Sequence, residues 1–420
     1  MPIDVVVWGA TGYTGKLVAE YLSRRYGVGK SLAWGIAGRS RTKLESVRAS
    51  LEAIDPAARE LPIFVGDGGD RASLEPIARA TRVVASTVGP FVLHGRELVA
   101  ACVEAGTSYC DITGEPTFMR AMIDAHHARA RETGARIVHA CGYDSIPADL
   151  GALMVQTHAR EAHGTRCSAV KYFAGDLRGG LSGGTAASVA QIAEDASRDV
   201  AVRRLLADPY ALDPDYDGTL RDVPDLVGDQ RGVAWDDDIQ AWTGPYPFAM
   251  TDTRVVRRTN ALLDYAWGKD FVFRQSMSFA AGPGGWALAA GATAAIALGF
   301  AAMSVTPVRR ALARDVFPRA GDGPSPETRD SGFFVSRLVG LLDSGGKVYG
   351  VVRGKGDPGY GETSKMLSEA AVSLAKDTGG TRSEGGVLTA GACLGMRLVE
   401  RLREAGIVFE VGDSLEALES

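Results

Sequence analysis

The first half of the chain alternates short apolar runs with longer stretches in which apolar residues recur every three or four positions. The runs fall at 3–8, 32–37, 61–65, 82–87, 108–111 and 135–140, and helical spacing fills 13–26, 41–54, 71–80, 95–105 and 117–133. Strands separated by helices need crossover connections, and crossovers of this kind lay strands parallel. Six such strands predict an α/β domain with a Rossmann-type doubly wound parallel sheet over residues 1–146.

The pattern changes after residue 146. A helix is predicted over 149–160 and strands over 168–173 and 270–279, while 208–247 is rich in Pro, Asp and Gly with little periodicity. Two strand-like runs, 333–342 and 347–353, flank Asp343-Ser344-Gly345-Gly346, a hairpin signal, and a helix is predicted over 360–376. Together these predict a second, α+β domain over 147–380 with a mixed, mostly antiparallel sheet. The segment 381–420 is expected to be helical around 393–405 and able to return to the first domain. Residues 275–308 carry no charged side chain, and 286–305 is long enough to cross a membrane. The strands on either side are expected to share one sheet, which a single span would forbid. A buried helix is therefore favoured for 282–308, with a helical hairpin or a patch dipping into a lipid interface as alternatives.

The 420 residues include 45% apolar and 23% charged side chains, enough for two or three domains with substantial cores. A net charge of −5 with both signs interspersed leaves no broad electrostatic footprint for nucleic acid. The five cysteines (Cys102, Cys110, Cys141, Cys167 and Cys393) form no C-x-x-C pair, so neither a disulfide framework nor a metal site is expected. No charged n-region followed by an apolar stretch opens the chain, so no signal peptide is expected. The expectation is a cytoplasmic protein, with contact at the inner face of the plasma membrane left open by 282–308.

The strongest motif is Gly9-Ala10-Thr11-Gly12-Tyr13-Thr14-Gly15, between a predicted strand and a predicted helix. Such a loop needs one glycine for the turn, one for close approach to a pyrophosphate and one for strand–helix packing. The helix start then offers free N–H groups to phosphate. The second strand ends in Ala37-Gly38-Arg39-Ser40, with no acid between residues 32 and 43. An acid there would bind the ribose 2′-hydroxyl of NAD. Arg39 can instead grip a 2′-phosphate with Ser40 adding a hydrogen bond, so the expected cofactor is NADP(H). Asp67 after the third strand, and Thr87, Val88, Gly89 and Pro90 after the fourth, lie at strand ends where such sheets bind ligands.

These residues, with YCDITGE at 109–115, ACGYDSIPAD at 140–149, SGGT at 182–185 and RRTNAL at 257–262, resemble the saccharopine dehydrogenase-like oxidoreductases. The likeness is greatest to the trans-acting enoyl reductases that serve the polyketide synthases of mycobacterial lipid assembly. It implies an NADPH-dependent reductase of a carbon–carbon double bond. The substrate would be a lipid-like acyl thioester, with a carrier protein and a polyketide synthase as partners. An imine or amino-acid reductase, or a non-catalytic NADP-binding partner of a lipid synthase, remains open. A homodimer is left open too.

An enoyl reduction needs donors for an enolate and a proton source. Tyr143 is a candidate donor, Asp144 a candidate to orient it or a water, and Lys171 a third catalytic candidate. The competing readings are structural: Asp144 or Ser145 capping the next helix, and Lys171 on a solvated face. Ser182–Thr185 can hold an anion at a helix start or form a turn with Thr185 as N-cap.

Overall fold

Strands covered by helices on both faces must be apolar throughout, and the predicted runs behave in this way. The computed structural model describes residues 3–179, 183–215, 228–316, 322–377 and 381–419. Strands β1 (Ile3–Trp8), β2 (Trp34–Gly38), β4 (Thr81–Ser86), β5 (Ser108–Asp111) and β6 (Arg136–Val138) are almost wholly buried, while β3 (Ile63–Val65) is the more exposed edge. The second half supplies β7 (Cys167–Arg178), β8 (Ala234–Asp236), β9 (Ala241–Gly244), β10 (Val272–Phe279), β11 (Phe333–Leu342), β12 (Lys347–Gly354), β13 (Gly386–Leu388) and β14 (Val408–Gly412).

Among the described residues these strands form two sheets. The first runs β13-β6-β5-β4-β1-β2-β3, every pair parallel, so its six N-terminal strands have the doubly wound order. The second runs β14-β12-β11-β7-β10-β9-β8, antiparallel except for β7 with β10. The β11–β12 hairpin turns through Gly345 and Gly346, whose φ values of 85° and 93° suit glycine.

Three expectations need correction. The helix Thr363–Lys376 does not belong with the second sheet; it packs on β1, β4, β5 and the helix Tyr13–Tyr26. The segment after 380 is not helical alone: it adds β13 to the first sheet and β14 to the second. The apolar stretch is not core. It forms a helix, Gly282–Ser304, of which only Gly285, Ala289 and Met303 are buried. Its sequence is apolar all round, so composition could not show which face, if any, was covered.

The helix Ala249–Leu262 is buried almost end to end despite the sequence AMTDTRVVRRTNAL. Its arginines are held by backbone carbonyls: Arg254 by Leu206 and Asp208, Arg257 by Phe273, and Arg258 by Leu212 and Val387. A buried charge is tolerated only with such partners.

Asp149 joins this helix to the C-terminal segment. Its carboxyl accepts from Thr259 Oγ1 and from the Gly391 amide at 2.7 Å, and burial pushes it from 3.8 up to about 7. The folded chain therefore keeps a proton that the unfolded chain releases over that range. The contribution of this group to stability falls as pH rises from about 4 to about 7 and is level above. Relative to wild type, Asp149→Asn should thus gain thermal stability between pH ~4 and ~7. Melting curves of both proteins across that range check this; a constant difference would refute it.

Candidate active site

The glycine loop is built as the motif requires. Gly9 has φ 89°, and a Cβ there would meet Val88 Cγ2 at 2.5 Å. A Cβ on Gly15 would meet the Gly9 carbonyl oxygen at 2.2 Å, with backbone that cannot yield. Gly12 is different: its Cβ would meet only the Gly9 oxygen, at 3.3 Å. It stands at the N-cap of Tyr13–Tyr26 with no side-chain cap, leaving the first-turn N–H groups to a ligand. The donor set and the bare backbone fit a pyrophosphate. Gly15→Ala should therefore cost about 1–3 kcal/mol of stability or more. Gly12→Ala should melt close to wild type and still bind nucleotide more weakly. Thermal melting with and without dinucleotide distinguishes these effects; equal melting temperatures for the two variants would contradict the assignment.

Around this loop the other strand ends converge. Arg39 is exposed at the end of β2, and among the described residues no hydrogen bond or ion pair engages it. Ser40 caps the next helix, accepting from Lys43 N at 3.4 Å, which leaves its own O–H available. Asp67 is exposed and folds a local turn, accepting from Gly69 N at 2.9 Å. Thr87 donates to the carbonyls of Trp8 and Gly9, tying the β4 end to the glycine loop. Tyr13 donates to the Pro324 carbonyl and sets its ring edge-on to Tyr360 at 5.2 Å.

From the loop a cavity of about 960 Å³ runs into the second half of the chain. Its floor is Thr14 at the start of the helix Tyr13–Tyr26 and the strand ends at Thr87, Gly89, Ile112 and Gly142–Asp144. Its far wall is apolar: Val189 and Ile192 from the helix Gly183–Arg198, Phe248 and Met250, and Phe300 and Met303 from the helix Gly282–Ser304. Only two charged side chains, Asp144 and Arg203, line it among the described residues.

Glu115 fastens the two halves. Its buried carboxylate accepts from Phe91 N and Val92 N at 2.9 and 2.8 Å and from Ser188 Oγ at 2.7 Å, so one side chain fixes the β4 turn and the substrate-side helix together. Thr251 Oγ1 adds a bond to the Gly114 carbonyl at 2.9 Å, and Thr185 Oγ1 meets the Tyr360 hydroxyl at 3.1 Å. Thr185 therefore lies inside the first turn of its helix rather than capping it. Ser182 lies outside the described residues.

Tyr143 and Asp144 do reach the cavity. The Tyr143 amide donates to Thr363 Oγ1 at 3.0 Å and its ring packs against Phe334 at 4.8 Å. Burial pushes its phenol up, with the Tyr246 and Ser336 hydroxyls acting the other way. Neither predicted cap holds. Ser145 takes the N-cap position of Ile146–His163 but turns its hydroxyl to Asp252 Oδ1 at 3.1 Å, and no side chain caps the helix. Asp144 is half-buried in the cavity wall, with no hydrogen bond to its carboxyl among the described residues, and burial pushes it from 3.8 up to about 6. Behind it, Asp252 accepts from Gln275 Nε2 at 2.7 Å, and burial together with the Asp144 charge pushes it up as well.

Lys171 is not part of this site. Its ammonium pairs with Asp236 and Asp238 at 2.8 and 2.6 Å and lines no part of the cavity. A half-exposed pair of this kind contributes about 1 kcal/mol or less, and its role is to pin the β8–β9 turn to β7. Cys110 and Cys141 are fully buried with thiols pushed up by burial, so neither is a thiolate. Tyr246, Asp252, Ser188, Glu115 and Thr363 were not singled out from sequence. Glu115 closes a quoted motif, but nothing local marks it as the clamp.

The sequence profile of the saccharopine dehydrogenase NADP binding domain matches residues 5–138. Over 413 residues the chain is 39% identical to a Mycobacterium tuberculosis protein named "Putative trans-acting enoyl reductase", covering 96% of each. It is 35% identical over 410 residues to the trans-acting enoyl reductase of Mycobacterium bovis, again covering 96% of each. The fold is similar to the saccharopine dehydrogenase (L-Glu forming) of Saccharomyces cerevisiae, with a TM-score of 0.50 at 11% identity over 98% of this chain and 99% of that one.

Proposed function

As this chain belongs to the trans-acting enoyl reductases of the saccharopine dehydrogenase-like oxidoreductases, we propose that it reduces the double bond of a long-chain enoyl thioester with NADPH. Residues 1–146 hold the dinucleotide. Tyr143, Tyr246 and the apolar wall take the acyl thioester, presented by a carrier protein of a polyketide synthase. The observation that carries this reading is the single cavity joining the strand ends beside the glycine loop to an apolar wall. A zwitterionic amino-acid substrate would need several fixed charges; among the described residues this lining has two.

Bound NADPH supplies a hydride for the β carbon. What remains for the protein is to stabilise charge on the thioester oxygen and to deliver a proton to the α carbon. Tyr143 and Tyr246 place two phenols in the wall, and a well-placed donor of this kind contributes about 3–4 kcal/mol to the transition state. Asp144, pushed up to about 6, is the acid that faces the cavity. Asp252 behind it is raised by burial and by the Asp144 charge, so it keeps a proton that an exposed carboxyl would release.

Supporting the phosphorylated cofactor are Arg39 and the lack of an acid between residues 32 and 43. NADPH oxidation by the purified protein with long-chain enoyl thioesters, and with imines in parallel, tests the proposal. Turnover of imines alone would overturn it.

A further inference from the structure

The helix Gly282–Ser304 leaves most of its surface unoccupied. Trp286, Leu288, Leu298 and Phe300 are 50%, 65%, 70% and 46% exposed, and Val305 and Val308 extend the strip. A patch of this length on a soluble chain calls for a covering partner. It cannot cross a bilayer, because β10 before it and β11 after it lie in the same sheet, both paired to β7. The helix can only lie along a surface.

We infer that this helix rests in the headgroup–acyl boundary of an anionic membrane and admits the acyl chain to the cavity from the side. Three features choose a lipid surface over a second copy or another protein. The first is charge. No charged residue occurs from 275 to 308, and the next helix, Thr306–Asp315, brings three arginines against one aspartate in a chain whose net charge is −5. Arg309 is tied down by a bond to the Met303 carbonyl at 2.7 Å, while Arg310 is exposed beside the apolar strip. A local positive end on an acidic protein is complementary to anionic headgroups.

The second feature is aromatic. At the opposite end Trp286 is exposed, and the Trp242 indole N–H donates to the Gly282 carbonyl at 3.1 Å, holding a second indole at the helix start. Indoles favour the headgroup level. Two of the three acids of the neighbouring β8–β9 turn are compensated there, Asp236 by Lys171 and Asp238 by Lys171 and Lys347, while Asp237 is exposed and accepts from the Trp235 indole N–H.

The third feature is continuity with the cavity. Phe300, Met303 and Ser304 line its wall, while Leu298 on the same helix faces outward. A chain leaving the acyl layer would follow one helix into the site without crossing water, avoiding the cost of exposing its methylenes. This last step rests on the reductase reading; membrane binding itself does not.

Flotation of the full-length protein with phosphatidylcholine vesicles, with and without phosphatidylglycerol, tests both parts. Wild type should float with the anionic vesicles. Leu288→Glu with Leu298→Glu should reduce the bound fraction roughly tenfold or more while melting and NADPH binding stay at wild-type values, since both sites are exposed and outside the cavity. Arg310→Glu should remove the preference for phosphatidylglycerol. The double variant should also keep wild-type turnover of a short, soluble enoyl thioester and lose turnover of a long one embedded in vesicles. Absence of flotation with either vesicle overturns the proposal. So does a lipid-free wild-type dimer that the double variant converts to monomer without vesicle binding, which assigns the face to a second copy. Flotation with equal loss of long and short substrates refutes side entry alone.

Discussion

Replacing Asp144 with asparagine is expected to lower kcat for enoyl reduction by about 10²- to 10⁴-fold, the usual worth of a positioned general acid. The side chain is nearly isosteric, forms no hydrogen bond among the described residues, and is not a helix cap, so the fold has little to lose. The wild-type acid is pushed up to about 6 by burial, and in the proposed mechanism its neutral form is the proton donor. Below that pH the donor is populated; above it the fraction falls about tenfold per unit. The kcat/KM profile should therefore decline through pH ~6 in the wild type, and the limb should be absent from Asp144→Asn. A docked acyl chain displaces water and raises the group further, so the kcat limb should lie at higher pH than the kcat/KM limb. An asparagine variant within tenfold of wild type that keeps the limb would move the proton source elsewhere, with Tyr143→Phe and Tyr246→Phe as the next comparisons.

Arg39→Ala is expected to weaken NADPH binding by about 10- to 150-fold, corresponding to the roughly 1.5–3 kcal/mol of a hydrogen bond to a charged group, and to leave NADH binding unchanged. The exposed guanidinium contacts nothing else among the described residues, so the substitution should not affect melting of the free protein. The change falls on the ratio of the two cofactors, because only one of them carries the 2′-phosphate. Titration of both dinucleotides into both proteins measures it; an unchanged ratio would place the 2′-phosphate elsewhere or remove it from the reaction.

The two predictions differ in how they became accessible. Arg39 was legible as soon as the second strand was, because the ribose of the dinucleotide lies at the end of that strand in any sheet of this topology. Asp144 was legible only as a choice between capping and chemistry. Capping depends on where the Ser145 hydroxyl points, and that is set by Asp252, whose own segment is more than a hundred residues further along the chain. Lys171 shows the reverse. It was a catalytic candidate from the sequence, but the acids of a turn beyond residue 234 claim it.

By itself the sequence determined the dinucleotide half. Parallel strands buried on both faces read as unbroken apolar runs, and the glycine loop, the crossover helices and the strand-end motifs are all local signals. Tertiary structure alone decided the substrate half, for two reasons. Polar residues become interior only when distant groups satisfy them: the arginines of Ala249–Leu262 are surface-like in sequence and buried because the carbonyls of Leu206, Leu212, Phe273 and Val387 reach them. Apolar residues become exterior when nothing packs against them. The helix Gly282–Ser304 is uniformly hydrophobic, so no periodicity marked a covered face, and only the placement of β10 and β11 in one sheet left it lying uncovered beside the cavity.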